Sequence, residues 1–320
     1  MVATIKDVAK AASCSISTVS YALNNDKRIP EVTANRIKSI AAEIGYFPSG
    51  AARNLKKRST NRILVAISDF GGPVYHELLD GIHYQLAKNG YTMIVSTGVS
   101  SDTLLKERSA DGAVIADIHI TNETLVQIAK NFRPIIVLDR RIEDGSIYNM
   151  TIDNQDAMYK MTKEIIAKGY KKIAFVHGVK DVYDNITRYS GFIKAMEEHG
   201  LTVFQEYVGN FTKKSGIEIA NSILNAKIEL PKMFVCANDE MAIGIMETMQ
   251  KNGYVVPKDF GISGFDDIEL TSYLTPKLST VKVNHFEWGK SIAKTTLKLL
   301  NMEKFDIQKQ KGEVMVRDSF

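Results

Sequence analysis

Apolar positions in the first part of the chain recur at helical spacing. Ile5, Val8, Ala9 and Ala12 form one stripe, preceded by Thr4-Ile5-Lys6-Asp7, a hydroxyl followed three residues later by an acid, as in a capping box. The stripe stops at Ala12-Ser13-Cys14. Ser15 then offers a second N-cap, and Val19 and Leu23 lie four residues apart on an inner face. Ile16, Ser17, Ser20 and Tyr21 are left pointing outward. Two short helices joined by a tight turn predict a helix-turn-helix, whose second helix offers its first residues to base edges in the major groove. A third helix is expected from Pro30 to Ile44, with Ile37, Ile40, Ala41 and Ile44 closing a small core and Gly45 capping the end.

From Arg62 the pattern changes. Short continuous apolar runs at Ile63–Ile67, Tyr91–Val95, Gly112–Ala116 and Ile135–Leu138 alternate with helical stretches at Val74–Asn89 and Glu123–Asn131. Runs without polar alternation suit parallel strands buried on both faces. A second series starts near Met158. Its strands are expected at Lys172–Val176, Met233–Cys236 and Phe260–Phe265, and its helices at Arg188–His199, Lys214–Asn225 and Glu240–Asn252. Two successive α/β series imply two sheets with a cleft at the carboxyl ends of their strands.

Charge sharpens the division. Residues 1–60 hold ten basic and four acidic side chains, a surplus of six, whereas the whole chain carries +4. Positive charge is thus concentrated on the helical module, where phosphates would be met. Hydrophobic content of 44% is ordinary for a globular protein. No apolar run approaches a membrane span, and Lys6, Asp7 and Lys10 interrupt the amino terminus in a way no signal peptide tolerates. Cys14 and Cys236 fall in separate modules and read as free thiols in a reducing compartment. The expected location is the cytoplasm, with no membrane partner, no cofactor and no metal, since no Cys/His cluster has ligand spacing.

The motifs Thr4-Ile5-Lys6-Asp7-Val8-Ala9-Lys10-Ala11-Ala12, Ser15-x-x-Thr18-Val19-Ser20-x-x-Leu23-Asn24 and Ile44-Gly45-Tyr46-x-Pro48-x-x-Ala51-Ala52-Arg53-x-Leu55 closely resemble the lactose/galactose/purine repressor family. The resemblance extends more loosely over nearly the whole chain. It implies an α/β fold: a helix-turn-helix domain at 1–47, a hinge helix and linker at 48–61, and a periplasmic-binding-protein-like sensor of two doubly wound parallel-sheet subdomains. The first would comprise 62–155 plus 285–312, the second 156–284 plus 313–320.

The resemblance also implies roles. Thr4, Ser15, Ile16, Ser17, Thr18, Ser20, Tyr21 and Asn24 match the family's DNA-contacting module. Ala52, Arg53, Leu55 and Lys56 match its hinge, in which paired leucines pry open a base step from the minor groove. Hinge residues 48–56 alone are too short and glycine-weakened for a stable helix, so they would order on binding. Asp139, Arg188, Asn238 and Asp266 match effector contacts, Phe211 an aromatic wall, and Phe70 to Tyr75 the loop at the cleft mouth. Taken singly, Asn238 or Asp239 also reads as a plain helix N-cap, and Arg188 as a charge at a helix start. One departure from the family pattern is that residues 96–111 leave room for only about two turns of helix, so the covering of the first sheet is open there.

The expected partners are double-stranded operator DNA, a small effector (a sugar ahead of a nucleobase) and a second copy of the chain. The expected function is an effector-controlled repressor of carbohydrate-utilisation genes. Alternatives within the family are a carbon-catabolite-type regulator controlled by a protein corepressor and a purine-responsive repressor. An enzyme on the same scaffold is disfavoured, because no glycine-rich phosphate loop follows the first strand and no Ser/His/Asp set stands out. With no apolar heptad tail after Asp318, a dimer rather than a tail-assembled tetramer is expected.

Overall fold

The computed structural model describes residues 3–47, 59–132, 134–226 and 229–320, which fall into two compact units, Met1–Thr60 and Asn61–Phe320. The expected hinge residues Ala52, Arg53, Leu55 and Lys56 lie outside the described residues.

The first unit is three helices: α1 (Ile5–Ala11), α2 (Ile16–Leu23) and α3 (Glu31–Glu43). The Asp7 carboxylate accepts from the Thr4 amide at 2.8 Å and the Thr4 hydroxyl at 2.7 Å, so the start of α1 is closed as expected. Those two bonds hold the Asp7 carboxyl below its ordinary value. Ser15 caps α2 by accepting from the Thr18 amide at 3.0 Å. All three helices end alike. Ser13, Asn25 and Gly45 take positive φ, and the amides of Cys14, Asp26 and Tyr46 reach back to the carbonyls of Ala9, Tyr21 and Ala41, which is the Schellman closure.

Val8, Ala12, Val19, Ala22 and Ile37 are fully buried between the helices. Two expectations shift here. Ala22 occupies the inner position with Leu23 only half-buried, and Ile44 is 37% exposed rather than core. The reason is the end of α3: the chain reverses after Glu43, and Tyr46 packs against the core instead.

The second unit is built on two parallel sheets. The first has the order β2-β1-β3-β4-β5, with β1 Arg62–Ile67, β2 Thr92–Thr97, β3 Gly112–Ala116, β4 Ile135–Val137 and β5 Ile147–Asn149. The second has the order β7-β6-β8-β9, with β6 Ile173–His177, β7 Gln205–Val208, β8 Met233–Cys236 and β9 Gly261–Ser263. A two-stranded antiparallel ribbon, β10 (Thr280–Lys282) with β11 (Glu313–Met315), completes the strands. The helices between them are α4 (Pro73–Lys88), α5 (Gly98–Lys106), α6 (Asn122–Ala129), α7 (Asn154–Ala167), α8 (Tyr183–Glu198), α9 (Lys213–Ala226), α10 (Asp239–Lys251) and α11 (His285–Leu300).

Strand β1 shows why continuous apolar runs were needed. Ile63, Val65 and Ile67 join the cluster that holds Leu78, Ile82 and Leu86 of α4 and Ile292 of α11, while Leu64 and Ala66 join another with Leu105 of α5 and Leu125 of α6. Both faces are covered. The short segment after β2 answers the open question: α5 starts directly at the strand end, with Gly98 at φ +53, and brings Leu105 onto the sheet.

Helices α4 and α11 cross at glycines. A Cβ added to Gly81 would lie 2.1 Å from the Phe286 carbonyl oxygen, and one added to Gly289 would lie 2.3 Å from that of Leu78. This crossing sets where the first turn of α11 presents His285 and Trp288.

Candidate functional site

Two surfaces stand out. On the first unit, Ile16 and Ser17 protrude from the start of α2, and Ser15, Asn24 and Thr4 are also exposed. Thr18, Ser20 and Tyr21 are half-buried. Several of these side chains are already engaged. The Thr18 hydroxyl sits 2.8 Å from that of Ser15, Asn24 Nδ2 donates to the Ser20 carbonyl at 2.7 Å, and the Thr4 hydroxyl is spent on Asp7. The Arg28 guanidinium lies 3.9 Å over the Tyr21 ring and donates Nε to Asp26 at 2.9 Å. Tyr21 is thereby held against the module with its position fixed from above. Two bases of α3 tie it to the turns on either side of α2: Arg36 donates to the Ala12 carbonyl at 3.2 Å and Lys38 to the Asn25 side chain at 2.6 Å.

On the second unit a cavity of about 350 Å³ opens where the strands end. Residues just past β1, β3, β4, β6, β8 and β9 all reach it, which is where parallel α/β sheets place ligands, and its size lies in the small-molecule range. Six of the seven expected effector residues line it: Tyr75, Asp139, Arg188, Phe211, Asn238 and Asp266. Phe70 does not. It is 73% exposed, and its neighbours Ser68, Asp69 and Gly71 face the cavity instead.

Arg188 organises the wall. The sequence pattern puts it at a helix start, but α8 begins at Tyr183, so Arg188 lies inside the helix with its side chain buried. Its Nε donates to Asn154 Oδ1 at 3.0 Å, Nη1 to the Ala237 carbonyl at 2.6 Å, and Nη2 to Asp266 Oδ1 at 3.4 Å. The guanidinium also sits 3.8 Å over the Phe265 ring. Asp266 itself takes φ +108, a left-handed backbone for a non-glycine residue, which marks a position over-determined by its surroundings.

Asn238 stands at the N-cap of α10 and at the cavity wall. It caps α10 by accepting from the Met241 amide at 3.1 Å, donates to the Phe211 carbonyl at 2.7 Å, and still lines the cavity. Phe211 lies flat against backbone: a Cβ on Gly178 would meet its ring at 2.2 Å, so only glycine lets that aromatic wall stand there. Asp139 is held by Arg140, which donates Nε and Nη2 to its two oxygens at 3.0 Å each and also bonds the Asp117 carbonyl.

Sequence reasoning missed three wall residues, Asp184 and the α11 pair His285 and Trp288, and also Asn154 behind the wall, which orients Arg188 and donates to Asp184 at 2.8 Å. His285 and Trp288 follow Val283-Asn284, and Trp288 is the single tryptophan of the chain.

Burial pushes the Asp266 carboxyl up to about 7, with Arg188 opposing and Asp184 and Glu240 adding to the rise. Burial, assisted by Arg188, pushes the His285 imidazole down to about 3. The two act oppositely on stability. Folded Asp266 keeps a proton that the unfolded chain releases, so its contribution falls as pH rises from about 4 to about 7. Folded His285 refuses a proton that the unfolded chain accepts below about 6.5, so its contribution falls as pH drops from there toward 3. In thermal melts across mildly acidic pH, His285→Phe should therefore gain stability on acidification relative to wild type, and Asp266→Asn should lose it. Identical pH slopes in all three proteins would refute the assignment.

A helix-turn-helix joined in one chain to a two-sheet domain with a cavity at its strand ends defines the class of DNA-binding transcriptional regulators. Residues 4–49 match the model for bacterial regulatory proteins of the lacI family, and residues 162–320 match a periplasmic binding protein-like domain. The chain is 31% identical to the HTH-type transcriptional regulator RegA of Clostridium saccharobutylicum, over 96% of this chain and 95% of that one. It is 30% identical to a sugar-binding transcriptional regulator of the lacI family from Enterococcus faecalis, whose crystal structure superposes with a TM-score of 0.76 over 82% of this chain and 99% of that chain. The crystal structure of the lac repressor dimer bound to operator and the anti-inducer ONPF shares its fold, with a TM-score of 0.86 at 23% identity over 100% of this chain and 99% of that one. The protein belongs to the lacI family of bacterial transcriptional regulators.

Proposed function

We propose that this protein is a cytoplasmic homodimeric repressor of carbohydrate-utilisation genes, whose grip on a near-palindromic operator is set by a small sugar-like effector in the cavity of the second unit. The observation that carries this reading is the convergence of Arg188, Asp266, Asn238 and Phe211 on one cavity at the strand ends. A planar guanidinium and carboxylates suit vicinal hydroxyls, and aromatic faces suit the C–H side of a sugar ring. The sugar-binding relative from Enterococcus faecalis supports the effector class, and the lac repressor dimer on operator supports the assembly.

On this reading Ile16, Ser17 and Tyr21 meet base edges, Ile16 by apolar contact with thymine methyl groups. Leu55, by its match to the family hinge, wedges a base step. The effector acts by binding one arrangement of the sensor more tightly than the other, and that difference is the whole of the coupling.

The test is operator selection from genomic DNA with the full-length protein, followed by titration at several salt concentrations. Ser17→Ala and Tyr21→Ala should weaken the selected site by about 1–3 kcal/mol each while leaving the salt dependence unchanged, because neither neutralises a phosphate. Equal weakening on selected and random DNA would remove α2 from the reading role. A sugar and nucleoside panel that leaves operator affinity untouched would favour control by a protein corepressor.

A further inference from the structure

Beside the cavity, three buried polar atoms of two lining residues have no hydrogen-bond partner: Nδ1 and Nε2 of His285 and Nε1 of Trp288. Both side chains are more than nine-tenths buried, both line the cavity, and their rings lie 6.2 Å apart. Buried polar groups are almost always paired, and an orphaned set beside a cavity calls for a reason. The neighbouring bonds are loose as well. Asp266 Oδ1 stops 3.8 Å from His285 Nε2 and 3.4 Å from Arg188 Nη2. The cluster is assembled but unclosed.

The wall around it is acidic. Asp69, Asp139, Asp184, Glu240 and Asp266 line the cavity, and Arg188 is the single arginine or lysine that does so among the described residues. Arg140 offsets Asp139 from behind. Asp69 follows β1 and Glu240 lies in the first turn of α10, and burial together with the Asp69 carboxylate makes Glu240 harder to ionise. An anionic group entering here meets a surplus of like charge in a low-dielectric site.

We infer that His285 and Trp288 form a specificity-determining end of the effector cavity, which takes an uncharged, hydroxyl-bearing molecule and rejects its phosphorylated counterpart. This rests on the cavity being the effector site. The indole N–H can only donate, so the occupant must offer an acceptor there. A neutral imidazole offers one donor and one acceptor, and His285 stays neutral because burial and Arg188 disfavour its proton. A hydroxyl both accepts and donates, so hydroxyls serve these atoms and Asp266 together. A phosphate ester at neutral pH is mostly dianionic, so its phosphoryl oxygens act almost only as acceptors, and the acidic wall repels it.

The experiment uses the full-length protein, with neutral hexoses, disaccharides and ribonucleosides as probes, each paired with its phosphate ester. Binding is read by thermal unfolding and by the emission of Trp288, the chain's one tryptophan. A neutral compound should raise the unfolding midpoint and change the emission, and its ester should bind at least about tenfold more weakly. His285→Phe and Trp288→Phe, followed by calorimetry, should each weaken that compound about tenfold or more, and His285→Gln, which keeps a donor and an acceptor, should recover much of the loss. Unchanged affinity in both phenylalanine variants overturns the inference and leaves the cavity reading standing. So does an ester that binds as tightly as the neutral compound. A panel silent in both readouts, with operator binding intact, takes down the cavity reading itself.

Discussion

Arg188→Ala should leave operator binding intact and abolish the response to effector. The guanidinium makes three bonds to the cavity wall and stacks on Phe265, so its truncation removes both the planar donor and the group that holds Asp266 in place. A charge-assisted contact to a ligand and the lost alignment of Asp266 together weigh about 2–4 kcal/mol, or roughly a thirtyfold to thousandfold loss of effector affinity. Removing one member of a buried charge pair also costs folding stability, so operator binding must be measured well below the unfolding midpoint. Arg188→Lys separates the two effects. It keeps the charge, loses the fork, and should fold better than the alanine variant while responding almost as poorly. An inducer response unchanged in Arg188→Ala would remove this residue from the site.

Gly289→Ala should be among the most destabilising single-methyl additions in the second unit. The new Cβ would stand 2.3 Å from the Leu78 carbonyl oxygen and 2.9 Å from the Ile82 amide nitrogen, both of them backbone atoms of α4. Alanine gains up to about 1 kcal/mol of helix propensity over glycine, and overpacking costs about 1–3 kcal/mol or more. Sterics win, because neither helix can give way without disturbing the sheet face it covers. The expected net loss is about 2 kcal/mol, several degrees in the unfolding midpoint for a unit of this size. Gly145→Ala is the control, since no atom lies within 4 Å of its added Cβ. Equal midpoints for the two variants would show that the crossing is not tight.

Local chemistry was readable from the chain, and long-range geometry was not. The capping box at Thr4 and the cap at Ser15 depend on residues three apart, and both stand where the spacing puts them. The strands β1 and β3 were plain because both faces are buried and the apolar run is unbroken. Strand β7 is Gln-Glu-Tyr-Val and mostly exposed, so only its pairing with β6 makes it a strand. The strands β5, β10 and β11 have three residues each, too few to show a pattern of their own. Ile44 was misplaced because a Schellman turn, not the helical period, decides which residue after Glu43 turns inward.

In the cavity, residues that follow a strand end were legible from the chain itself, and residues that arrive from elsewhere were found only where a family motif carries them, as at Tyr75 and Arg188. Asp139, Asn238 and Asp266 belong to the first kind. His285 and Trp288 belong to the second, since nothing local marks the first turn of α11 as part of a site. A lone tryptophan beside a histidine at a crossover was the only signal available. Phe70 failed the other way: its neighbours turn toward the cavity and it turns out.

The crossing of α4 and α11 bears on how the protein is made. The strands of the first sheet leave the ribosome early, yet the helix that seals one of their faces is encoded close to the opposite terminus. Until that late segment emerges, the apolar surface that includes Ile63, Val65 and Leu78 lacks one of its two covering helices, and nascent chains stalled before it should be prey for chaperones and proteases.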